Sequence, residues 1–200
     1  LAIGESLLAE QHDRQALVLG QACDGRPHQD RTLGSRGGSV RGDRARVGVE
    51  KRDVAAGRAA DFILTRMRGP DGRLMHRFRD GQAAISAYAD DYAFLIWGLI
   101  ELYETTFDVS YLQAALDLNS IFLKRFWDDK HGGFYFTADD GEDLFIRDKE
   151  IYDGAIPSSN STAMLNLLRL ARMTADPNLE KNASRLAQAF SGQMRQSPSA

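Results

Sequence analysis

The sequence has a single cysteine, Cys23. One thiol excludes an internal disulfide, a Cys-x-x-Cys redox pair and any multi-cysteine metal site, and it fits a reducing compartment. Long apolar runs are missing as well: none reaches the roughly 18–20 residues of a membrane span. The first residues lack the basic-then-apolar pattern of a secretory signal, so a cytoplasmic location is expected. Positive charge is not in excess. The 25 Lys+Arg face 28 Asp+Glu, a net charge of −3, which gives no reason to expect a nucleic-acid or anionic-membrane partner.

The most uneven absence is aromatic. All of the 10 Phe, 6 Tyr and 2 Trp lie at or after Phe62. Charge divides in the same place. Up to Arg58 there are ten basic and eight acidic residues (+2); the rest holds fifteen and twenty (−5), which restores the total of −3. Between Gly25 and Gly48 the chain alternates Gly, Arg, Asp and Ser with little apolar content. Such a stretch buries too little surface to offset its chain entropy. Residues 1–53 therefore read as a poorly ordered segment, with a short helix near Leu7, Leu8, Leu17, Val18 and Leu19. No aromatic interleaves the Arg/Gly run to stack on bases. Gly34-Ser35-Arg36-Gly37-Gly38 lacks the Lys-Ser/Thr ending and the preceding strand of a phosphate loop.

Residues 54–200 read as helices. Val54, Ala55, Ala59, Phe62, Ile63 and Met67 fall at helical spacing, and Gly69-Pro70-Asp71-Gly72 ends that helix. A short extended piece, Arg73 to Phe78, precedes a long helix expected over Ala83–Thr106, apolar on more than one face. The next helix is expected over Ser110–Phe126 with Ser110 as its cap, stopped by Asp128-Asp129-Lys130-His131-Gly132-Gly133. Phe134–Thr137 and Leu144–Ile146 read as paired strands around an acidic turn. Further helices are expected over Ser159–Met173 and from Asp176-Pro177 to about Met194. Phe62-Ile63-Leu64-Thr65-Arg66-Met67 before Asp71-Gly72 repeats as Ile121-Phe122-Leu123-Lys124-Arg125-Phe126 before Asp129 and Gly132-Gly133. A third copy starts at Leu179 and Ala183. The period of about sixty residues is that of a helical-hairpin array, each unit an inner and an outer helix.

Asp90-Asp91-Tyr92-Ala93, Leu102-Tyr103-Glu104, Tyr111-Leu112, Phe126 with Asp128/Asp129, Gly132-Gly133-Phe134-Tyr135, and Asp153 with Pro157-Ser158-Ser159-Asn160-Ser161 form an ordered series. The series resembles the family of thioredoxin-domain-containing proteins that includes the spermatogenesis-associated protein of animals and its bacterial counterparts. The resemblance covers about 54–198. It implies an all-α fold: helical hairpins forming part of an (α/α)6 toroid, similar to N-acylglucosamine 2-epimerase and the six-hairpin glycosidases, with short β-hairpins in loops. Six hairpins need roughly 350 residues at this period, so about half a toroid is present. The family's thioredoxin-like domain is also missing, and no redox activity carries over. An inner-helix Trp-Asn-Gly signature expected near residue 36 is replaced by the Arg/Gly run. That change of composition between two family-like stretches points to a reading-frame error or a decayed segment over 34–53.

The resemblance implies a fragment of a carbohydrate-related, epimerase- or glycosidase-like protein that is inactive alone. Asp90 or Asp91 with His76 would transfer protons. Tyr92, Tyr135, Asp153, Ser159 and Asn160 would position a small sugar-like ligand. Each has a plainer reading: helix-dipole partners for Asp90 and Asp91, a structural histidine for His76, core packing for the tyrosines, and capping for Asp153 to Asn160. No metal or cofactor is expected. The expected partners are the rest of the toroid and the thioredoxin-like domain. The alternative is a non-catalytic helical-repeat module that binds a protein or peptide on its concave face.

Overall fold

The computed structural model describes residues 40–141 and 147–196, with side chains from Asp53 onward except Met194 and Gln196. The expected amino-terminal helix, and the expected strand Leu144–Ile146 with its hairpin, lie outside the described residues. The chain divides into two compact units, Leu1–Ile63 and Leu64–Ala200, and the candidate site belongs to the second.

Helix α1 spans Val40–Arg66, starting fourteen residues before the expected Val54. Apolar periodicity fades there, but Arg, Lys, Glu and Ala are good helix formers and outnumber Gly42 and Gly48, the residues that oppose a helix most. Strands β1 (Met75–Arg79) and β2 (Gln82–Ser86) pair antiparallel, with Arg79 opposite Gln82 and Arg77 opposite Ala84. The expected helix at Ala83 is thus a strand, and the reason is local. Asp80 and Gly81 both have positive φ (54° and 80°), the two-residue turn whose twist matches a hairpin and which Asp-Gly favours.

Helix α2 (Ala89–Thr106) follows and forms a helical hairpin with α3 (Val109–Phe126). The cap of α3 is Asp108, not Ser110: the Ser110 N–H donates to the Asp108 carboxylate at 2.9 Å. Helix α4 (Ser159–Thr174), capped by Ser158, forms a second hairpin with α5 (Pro177–Gln196), which has proline at its first position. The two hairpins join through their first helices, α2 against α4. The Asn166 amide donates to the Ala93 carbonyl at 2.8 Å, and Arg169 reaches Glu101 at 2.5 Å and Glu104 at 2.6 Å.

Phe134–Thr137 forms no ladder among the described residues; it is tied to the end of α3 by an isolated bridge, Trp127 to Phe134. Its aromatic content is used in packing instead. Phe134 stacks on Phe122 at 4.1 Å, and Phe122 is followed by Tyr92 (5.6 Å) and Phe126 (5.2 Å). Gly132 and Gly133 make the sharp exit from α3 with φ of 76° and 83°. A Cβ at Gly132 would lie 2.8 Å from the Arg185 carbonyl oxygen, and one at Gly133 2.9 Å from the Phe190 ring. Glycine is needed twice, for dihedral angle and for room.

Candidate functional site

The β1–β2 hairpin delivers the chain to the start of α2, and its exposed face carries His76. His76 Nδ1 lies 2.9 Å from Asp91 Oδ2. The same oxygen accepts the Tyr88 backbone N–H at 2.8 Å, the reach-back that an acidic third helical residue makes to the cap position. The His76 ring meets Tyr88 edge-on at 5.2 Å, and Tyr88 stacks on Phe136 at 5.1 Å. The Ala89 N–H donates to the Phe136 carbonyl at 3.0 Å, which satisfies a donor that a helix start leaves unpaired. His76 is exposed and Asp91 half-buried.

Asp90 points to the other helix start. Its half-buried carboxyl is pushed above the usual carboxylate range, first by burial and also by the charges of Asp91 and Glu150, while a hydrogen bond with the Ser159 side chain opposes the shift. Ser159 is the first residue of α4. The amino-terminal ends of α2 and α4 therefore lie near enough for Ser159 and Glu150 to act on the Asp90 carboxyl. The arrangement pairs His76 with Asp91 and turns Asp90, the neighbouring residue, toward Ser159. A histidine held by a carboxylate, next to a carboxyl that keeps its proton to higher pH, suits proton transfer. Among the described residues no group of three or more His, Cys, Asp or Glu has the arrangement to hold a metal ion.

The other candidates have structural work. Tyr92 is 1% exposed; its hydroxyl accepts the Leu74 N–H at 3.0 Å and its ring packs on Phe122 and Phe126. Buried in that core, it does not face a ligand. Asn160 is fully buried, and its amide is committed to backbone. Oδ1 accepts the Phe134 N–H at 2.7 Å, and Nδ2 donates to the carbonyls of Phe134 (3.0 Å) and Glu150 (2.8 Å). The Asp153 carboxylate accepts the Ser158 N–H at 2.8 Å, fixing the entry to α4 as capping predicts.

Tyr135 belongs to a cluster whose centre went unrecognised in the sequence. Asp128 is 6% exposed. It accepts from Lys149 Nζ (2.5 Å), Tyr135 Oη (2.9 Å) and the N–H groups of Lys130 (2.8 Å) and His131 (3.1 Å). Burial alone would raise its carboxyl, but the Lys149 ammonium and the other donors hold it well below the usual range. Tyr135 is shifted upward, chiefly by its hydrogen bond to that carboxylate. The Arg147 guanidinium covers the Tyr135 ring at 4.1 Å. In the sequence Asp128 reads as part of a helix stop and of the family-like series, with no sign of its burial. Its main partner, Lys149, is twenty-one residues away.

No helix among the described residues is long and apolar enough to cross a membrane. No family model matches the chain. It is similar to spermatogenesis-associated protein 20 of three mammals. The Rattus norvegicus protein is 44% identical over 113 residues, 56% of this chain and 14% of that protein. The Homo sapiens protein is 37% identical over 147 residues, 73% and 18% of the two chains. The Mus musculus protein is 36% identical over 164 residues, 77% and 21%. The chain thus spans about a fifth or less of the curated relatives it matches.

Proposed function

We propose that this chain is a segment of a longer (α/α) toroid of the kind the sequence resembles, and that its part of the inner ring binds a small sugar-like ligand at the amino-terminal ends of α2 and α4. The observation that carries the reading is the His76–Asp91 pair at the start of α2, 2.9 Å apart, with Asp90 on the same turn turned toward the start of α4. Two hairpins joined through their first helices support the inner-ring assignment. Asp90 is the proton donor, because its carboxyl stays protonated to higher pH than an ordinary aspartate. His76 is the second proton carrier, with Nδ1 taken by Asp91 and Nε2 left for the ligand. Ser159 is 2% exposed and acts by holding the Asp90 carboxyl. The remaining hairpins and the thioredoxin-like domain complete the protein, and this chain alone turns nothing over.

The test is calorimetric titration of the polypeptide encoded by the full reading frame with neutral monosaccharides and N-acylated amino sugars. Binding that Asp90→Asn and His76→Ala each weaken at least about tenfold, a loss of ~1.4 kcal/mol, is the expected result. Binding unchanged in both variants, or no sugar bound, overturns the site.

A further inference from the structure

Helix α4 packs on α2 and on α5. Its buried residues, among them Ala163, Asn166, Leu167 and Leu170, serve those two sides. The remaining side carries a stripe at spacings of four, three and four: Ser161, Leu165, Leu168 and Arg172. Leu165 and Leu168 are 41% and 39% exposed. In α2 the residues at the same distance from the left-handed cap (Phe107 against Ala175) are Ala93, Trp97 and Ile100, and all three are buried.

The contact between α2 and α4 is head-to-tail. One surface of α2 meets a different surface of α4, so the same step can be taken again from the free side of α4. The relatives have the chain length to take it, since this chain covers only 14–21% of them. We propose that the Leu165/Leu168 face of α4 docks the first helix of a further hairpin of the same polypeptide, as α4 docks on α2. The docking helix presents an apolar stripe to the two leucines and an acidic residue to Arg172, as α2 presents Glu101 and Glu104 to Arg169. This rests on the segment half of the function proposed above and not on its ligand.

Maleimide labelling of Leu168→Cys in a Cys23→Ser background tests it, in this 200-residue chain and in the polypeptide extended along its reading frame beyond Ala200. Labelling is expected to be fast and independent of protein concentration in the shorter chain, and at least about tenfold slower in the extended one. Val109→Cys, at a position 68% exposed, should label equally in both. Ser161→Cys, on the same stripe, repeats the measurement if Leu168→Cys does not fold. Equal labelling of the stripe in both polypeptides overturns the proposal, and so does a stop codon directly after Ala200. Protection that grows with concentration in the shorter chain identifies a second copy as the occupant and overturns it too. Protection without any sugar binding leaves this inference standing and removes only the ligand.

Discussion

Asp128→Ala removes one carboxylate and strands four donors: the Lys149 ammonium, the Tyr135 hydroxyl and the N–H groups of Lys130 and His131. Breaking a buried ion pair by deleting one partner costs about 3–5 kcal/mol. Lys149 is 17% exposed at its side chain and keeps the Gly132 carbonyl at 2.8 Å, so the lower end applies, about 3 kcal/mol. Asp128→Asn retains an acceptor for the two turn N–H groups and loses the charge; about 2 kcal/mol is expected. Urea unfolding followed by circular dichroism at 222 nm reads both as shifts of midpoint at constant slope. The pH dependence has a definite sign. The folded carboxyl is held below its unfolded value, so its contribution is full above about pH 4 and is lost as pH falls through the folded value. The gap between the parent chain and Asp128→Asn should therefore narrow below pH 4. A cost of Asp128→Ala under about 1 kcal/mol, or a gap unchanged between pH 7 and pH 3, refutes the buried-pair reasoning.

Asp90 gives the opposite sign. Its folded carboxyl is raised, so the charged form destabilises the fold, and Asp90→Asn should raise stability at pH 7 and leave it unchanged below about pH 4; the same urea titration checks it. Gly133→Ala should cost about 3 kcal/mol, from a positive φ and from a Cβ 2.9 Å from Phe190. Gly81→Ala, with the same kind of φ and open space around it, should cost about 1 kcal/mol; equal costs from thermal melts would mean that the Phe190 contact yields. Phe107 ends α2 with φ of 58° while 80% exposed. Phe107→Gly should stabilise by about 0.5 kcal/mol, measured in urea, because glycine adopts that angle freely but gains freedom when unfolded.

Helices α2 to α5 were legible because their apolar residues recur at helical spacing over four or more turns, and because Ser158 and Pro177 mark two of their starts. The sequence reading has a helix from Ala83 where the structure has strand β2; the signal it passes over is Asp80-Gly81. Two alanines favour a helix weakly, whereas a two-residue Asp-Gly turn constrains four dihedral angles at once. The sequence places the cap at Ser110 and the structure at Asp108; both residue types are good caps, and a boundary two residues off separates them. In the site, the adjacency of Asp90 and Asp91 was plain, but their opposite partners were not. His76 reaches Asp91 across fifteen positions, and Ser159 lies in another hairpin. The partners of Tyr92 and Asn160 are out of reach for the same reason: Leu74 lies eighteen residues from one, and Phe134 twenty-six from the other. Periodicity carries no information about such pairs.

Asn160 stands in for a strand. Its side-chain amide gives Phe134 an acceptor for its N–H and a donor for its C=O, the pair of bonds that a neighbouring backbone would supply in an antiparallel ladder. An aromatic segment with one unpaired edge invites a strand from another chain. Here Asn160 occupies the edge at Phe134, and the next groups along it, the N–H and C=O of Phe136, go to Asp148 and Ala89. The segment can therefore stay one residue deep in β-pairing without seeking a partner. Aspartate at 160 would keep the shape but turn the donor into an acceptor facing two carbonyls, so the amide, not its size, is what closes the edge.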